Sequence, residues 1–108
     1  MKTDFLNYKK NFDSDGYFIC KNVFNKDFIH QLINEINNSK NSIKYFDNFK
    51  NLRRIEMLYD KGNKLKDLNK KILTLLNNVF EEEFLIFKDK FNAKPPGGEG
   101  FFAHYDGI

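Results

Sequence analysis

The chain has 108 residues, 41% hydrophobic and 31% charged, with a formal net charge of +3. That size suits one small soluble domain with a thin core. The mild charge, with no basic run longer than two residues, excludes the clustered basic face that nucleic-acid binding needs.

The N-terminus, MKTDFLNYKK, has no apolar stretch of signal-peptide type, and no later run approaches membrane-spanning length. The expected location is therefore cytoplasmic, with no membrane partner. Phe5, Leu6, Tyr8 and Phe12 suit a short helix over residues 4–13, closed by the turn signal Asp13-Ser14-Asp15-Gly16. Tyr17 to Cys20 is a short apolar run that predicts a strand. Cys20 is the single cysteine, which excludes an intramolecular disulfide and a cysteine-based zinc site. Among apolar neighbours it reads as a small buried hydrophobe. Asn25 is a good N-cap, and Phe28, Ile29, Leu32, Ile33 and Ile36 follow at helical spacing, predicting an amphipathic helix over 26–38. His30 reads as a solvated residue of that helix.

Residues 39–51 read as a loop with aromatic anchors, and 52–59 as a strand. Leu65, Leu68, Ile72, Leu75, Leu76 and Val79 define the clearest helix, over 64–80. The clearest strand candidate is 84–94. Its alternation puts Phe87, Asp89, Phe91 and Ala93 on one face and Lys88, Lys90, Asn92 and Lys94 on the other. Pro95-Pro96-Gly97-Gly98 ends it, and Phe101 to Tyr105 begins another. Chain order alone thus predicts an α+β domain whose helices come first and whose strands thicken towards the end. The 13 phenylalanines read as mostly core residues, since each brings large apolar area without a polar tip.

Chemistry concentrates in the last fifteen residues, KPPGGEGFFAHYDGI. On a strand, His104 and Asp106 project to one face while Tyr105 points away. An imidazole beside a carboxylate suits a ferrous or similar divalent ion, and one more histidine would complete a 2-His-1-carboxylate triad. The tripeptide alone reads first as a strand end with two surface polar residues, since so short a motif often occurs by chance. Other chemistries find less support. KPPGGEG lacks the Lys-Ser/Thr and the following helix of a phosphate loop. Glu81-Glu82-Glu83 reads as a solvated turn. Ser14, Ser39 and Ser42 lie in turn-like contexts where nothing positions a catalytic triad.

The stretch FKDKFNAKPPGGEGFFAHYD (87–106) resembles the metal-strand region of the phytanoyl-CoA dioxygenase family, which are Fe(II)/2-oxoglutarate-dependent oxygenases. FDSDGYFICKNVF (12–24) is similar to that family's opening strand, and NLRRIEMLYDKG (51–62) to its Arg-Ile-Glu segment. The resemblance implies a double-stranded β-helix (jelly roll, cupin-like) with helices packed outside. It implies His104 and Asp106 as the first two iron ligands. It places co-substrate contacts at Lys90 and near Arg54, with Asn92 on the face of Lys90. It implies Fe(II), 2-oxoglutarate and O2 as the reacting partners, with 2-oxoglutarate oxidised to succinate and CO2 while a small organic substrate is hydroxylated. Asp106, a carboxylate, matches hydroxylases and not halogenases. The family's second histidine and its later arginine have no counterpart here. Residues 1–108 are therefore expected to be a single partial domain, the N-terminal portion of such an enzyme and inactive alone, with Ile108 the end of a partial reading frame. The alternatives are a short non-catalytic α+β binding module and a metal-free relative of the family. Substrate identity and oligomeric state are not encoded in any motif of the chain.

Overall fold

The structure is a computed structural model that describes residues 2–105. Three helices and a small three-stranded antiparallel sheet make an α+β fold. The helices are α1 (Lys2–Asp15), α2 (Lys26–Asn37) and α3 (Asn63–Phe80). The strands are β1 (Ile43–Phe46), β2 (Leu52–Glu56) and β3 (Lys90–Asn92), in the spatial order β1-β2-β3.

Helix boundaries follow local chemistry. Gly16, at φ +83°, ends α1 and donates its N–H to the Phe12 carbonyl; a left-handed residue there favours glycine. Asn25 caps α2 as its sequence context predicts, with Oδ1 accepting the Phe28 N–H at 2.8 Å. The start of α3 is capped from another helix. Gly62 contributes no side-chain bond. Instead the Glu35 carboxylate of α2 accepts the Lys64 and Leu65 N–H groups, each at 2.9 Å.

Two apolar centres hold these elements together. Leu32 and Ile36 of α2, Ile55 of β2, Leu58 and Leu65 form one buried cluster, with Phe28, Leu52 and Leu68 packed around it. The second is aromatic and joins α1 to α3. Phe12 meets Phe80 edge-on at 5.0 Å between ring centroids, Phe18 stacks on Tyr8 at 5.3 Å, and Phe84 adjoins Phe80 at 5.7 Å. Such ring pairs contribute directional contact beyond simple burial.

The strand expectations need correction in five places, one of them the strand over 52–59, which ends at Glu56. Residues 17–20 form no strand: Phe18 and Cys20 turn inward while Tyr17 and Ile19 stay exposed, so the alternation holds but no ladder forms. The expected loop 39–51 contains β1, whose side chains are all exposed, so no apolar periodicity marked it. The long strand over 84–94 shrinks to Lys90–Asn92. Its partner β2 stops at Glu56 because Met57 adopts φ 61°, which breaks the extended path. The next N–H, that of Leu58, then bonds the Asp89 carboxylate at 2.7 Å and not a strand carbonyl. Residues 101–105 are likewise unpaired coil.

The expected turn does form. Gly97 has φ +80°, and the Gly98 N–H closes onto the Pro95 carbonyl at 2.9 Å, as Pro-Gly at the centre of a type II turn requires. The surface is incompletely covered for a chain of this mass. Accessible area is 9078 Å², where a compact 12.9-kDa monomer exposes roughly 6,300 Å². Leu85, Phe87 and Phe102 contribute at 82%, 87% and 96% exposure. Among the described residues no helix is long and apolar enough to cross a membrane.

Candidate functional site

The sheet brings together residues that lie almost forty positions apart. In the β2–β3 ladder Arg54 pairs with Asn92 and Glu56 with Lys90; in the β1–β2 ladder Tyr45 pairs with Arg54 and Ile43 with Glu56. Cross-strand partners share a face. Arg54, Lys90 and Asn92 therefore occupy one face, with Tyr45 and Glu56 among them. Ile55 and Phe91 pair on the opposite face, where Ile55 is fully buried against the helices.

Arg54 is the best-ordered cation of this face. Its guanidinium carbon lies 4.4 Å from the Tyr45 ring centroid, a cation–π placement. Its Nε lies 3.2 Å from Glu56 Oε1, an ion pair by distance. The angle is too bent for a hydrogen bond, and Nε is buried without an acceptor in line. A guanidinium held flat on a ring, with hydrogen-bonding capacity unspent, suits a carboxylate. Lys90 and Asn92 are exposed on the edge strand.

No known family, characterised protein or solved structure matches this chain.

His104 follows the turn as exposed coil. Its Nδ1 lies 2.6 Å from the Phe102 carbonyl. A carbonyl oxygen only accepts, so Nδ1 donates in this bond; in the neutral ring that leaves the lone pair on Nε2, the arrangement a metal-binding imidazole adopts. Asp106 lies outside the described residues. Among the described residues no group of three His, Cys, Asp or Glu side chains could hold a metal ion. The donor set is thus one oriented imidazole with a carboxylate two residues on in sequence. It fits a divalent metal as part of a site and does not complete one.

The remaining sequence candidates fall away from this region. His30 is exposed on α2. Cys20 is half-buried, not fully buried as expected, and lines a groove of about 360 Å³ with Val23, Phe24, Ile29, Ile72 and Leu75. The neighbouring Tyr8 hydroxyl is pushed above its ordinary range by desolvation first, then by the Cys20 thiol. That gives the cysteine a hydroxyl neighbour in a mostly apolar groove that Asn22 and Lys71 also line.

One functional candidate escaped the sequence reading. Arg53 contacts Glu99, Gly100 and Phe101 at once. Only the tertiary packing of the turn reveals it.

Proposed function

We propose that this chain is the front part of a non-haem Fe(II)/2-oxoglutarate-dependent oxygenase that hydroxylates a small organic substrate. His104, through Nε2, and Asp106 would hold the ion together with a histidine from a later strand. Arg54, with Lys90 and Asn92 beside it, would receive a carboxylate of 2-oxoglutarate. Bound iron would supply activation of O2, coupled to oxidation of 2-oxoglutarate to succinate and CO2. The chain's own residues bind and orient: the Tyr45 ring and Glu56 fix the Arg54 plane, and the Phe102 carbonyl fixes the His104 tautomer.

The observation that carries this reading is the shared face of Arg54, Lys90 and Asn92. A strand register shifted by one residue would have turned Arg54 away from the other two. The uncovered apolar surface around Leu85 and Phe87 agrees with a sheet that continues into a larger jelly roll.

The test is succinate release from 2-oxoglutarate by the full-length gene product supplied with Fe(II). His104→Ala abolishes it, and Arg54→Gln raises the 2-oxoglutarate KM. Succinate release unchanged in His104→Ala would refute the iron assignment.

A second reading rests on the missing third donor among the described residues: a non-catalytic α+β module or a metal-free relative. Reading the gene beyond codon 108 separates the two. A later strand histidine followed by an arginine supports the oxygenase, and a stop codon supports the short module.

A further inference from the structure

The β1–β2 hairpin grips the segment that leads into His104. The Asp47 carboxylate closes the hairpin turn by accepting the Phe49 and Asn51 N–H groups, each at 2.9 Å. Asn48 Nδ2 donates to Glu99 Oε1 at 3.3 Å. Arg53 then makes three contacts on consecutive residues. Nη1 lies 3.8 Å from Glu99 Oε2, Nη2 donates to the Gly100 carbonyl at 3.4 Å, and the guanidinium carbon lies 4.5 Å from the Phe101 ring centroid. The Arg53 carbonyl accepts the Ala93 N–H at 2.9 Å. One residue thus holds the chain on both sides of the Pro95–Gly98 turn.

The ladder explains why Arg53 can do this. Tyr45 pairs with Arg54 and Phe46 with Leu52, so Arg53 is the extra residue of an irregularity in β2. A bulge of this kind re-aims a side chain away from the regular ladder. Each contact is long and half-exposed, so none alone holds the segment. Their convergence from a rigid, planar, three-way group is what confines it.

We infer that Arg53 is a positioning residue that sets the approach of residues 99–104, and with them His104, to the sheet. Its functional meaning rests on the reading of His104 as a metal ligand. A plain surface ion pair between Arg53 and Glu99 would be restored by lysine. A bracket that needs the fork and the flat stack is not.

The experiment is NMR on the isotope-labelled 108-residue chain, wild type, Arg53→Lys and Arg53→Gln, with Mn(II) as the paramagnetic probe. In the wild type, the Phe101 ring resonances are shifted by the Arg53 guanidinium stacked on it, and residues 99–104 show ordered backbone relaxation. In both variants the Phe101 ring resonances move towards random-coil positions and the order of 99–104 falls, as expected when a local opening equilibrium shifts. The amides of Leu32 and Ile55 stay unchanged and report an intact fold. Three results overturn the inference: unchanged Phe101 ring resonances and unchanged order of 99–104 in Arg53→Gln; full rescue by Arg53→Lys; or no order at 99–104 in the wild type. The metal reading fails separately, if Mn(II) broadens no His104 resonance in the wild type while the bracket behaves as described.

Discussion

Glu35 and Gly62 form a single device, and removing either part should show it. The Glu35 carboxylate accepts two N–H groups at the start of α3, both at 2.9 Å. A helix start has unsatisfied N–H groups and a favourable field for an anion. Truncation in Glu35→Ala removes a charged acceptor from two donors that can partly rehydrate, which costs about 2 kcal/mol, the upper part of the capping range. For a chain of this length that lowers Tm by about 10 °C. Gly62 is extended, at φ −179°, so its backbone accepts any residue. Its constraint is space: an added Cβ would lie 2.5 Å from Glu35 Oε2 and 2.6 Å from its Cδ. Gly62→Ala therefore pushes the carboxylate off its two donors and costs about 1–2 kcal/mol, again the price of a lost cap. In the Glu35→Ala background the obstacle is gone, and Gly62→Ala costs at most about 0.5 kcal/mol, the residual preference for glycine at an N-cap. Thermal and urea unfolding of the four proteins gives the coupling directly. Equal cost of Gly62→Ala in both backgrounds would refute the reasoning.

Three further outcomes are expected. Glu81 ends α3 in the left-handed region at φ 53°, so Glu81→Gly should stabilise the chain by about 1 kcal/mol, seen as a raised urea midpoint; no rise would mean that the side chain contributes an unseen contact. At Asp47 desolvation favours the neutral acid, but hydrogen bonds from the Asn51 and Phe49 N–H groups, the Asn51 side chain and Glu99 outweigh it and hold its carboxyl below the ordinary value of 3.8. Its contribution is therefore complete above that unfolded value and disappears as pH falls through the lower folded one, so Asp47→Asn should flatten the acid limb of stability against pH, and an unchanged limb would contradict the assignment. Phe102 is 96% exposed, so Phe102→Ser should change stability by less than about 0.5 kcal/mol, and a larger loss by chemical denaturation would show that the ring is packed.

The helices were legible in the sequence because each carries its own signal. Asn25 and the Phe28–Ile36 spacing fixed α2, and the leucine periodicity fixed α3 to within a residue. The strands were legible only as faces. Lys90 and Asn92 did share a side, with Phe91 opposite, yet the length of β3 depended on where β2 stopped, and that was decided by one backbone angle at Met57. β1 carried no apolar alternation because nothing covers it. Alternation put Lys90 and Asn92 on one face, but Arg54 joined them only through the β2–β3 register, which no residue pattern announced. Arg53 was passed over for the complementary reason: alternation turns it from that face, and its partners at Glu99 to Phe101 are contacts across a turn that no periodicity announces. Glu35 was invisible too, since a cap supplied by another helix leaves no local motif.

The unpaired stretch Phe84-Leu85-Ile86-Phe87 has a further consequence, for behaviour in concentrated solution. Extended, aromatic and largely bare, it is the kind of segment that recruits a second strand. Charge brackets it on both sides: Glu81, Glu82 and Glu83 are exposed before it, and Lys88 and Lys90 after it. Such flanking charges act as gatekeepers, because stacking copies in register would bring like charges together. Their repulsion is long-ranged only at low ionic strength. Added salt should therefore move this chain towards self-association, with the gatekeepers and not the core setting the threshold.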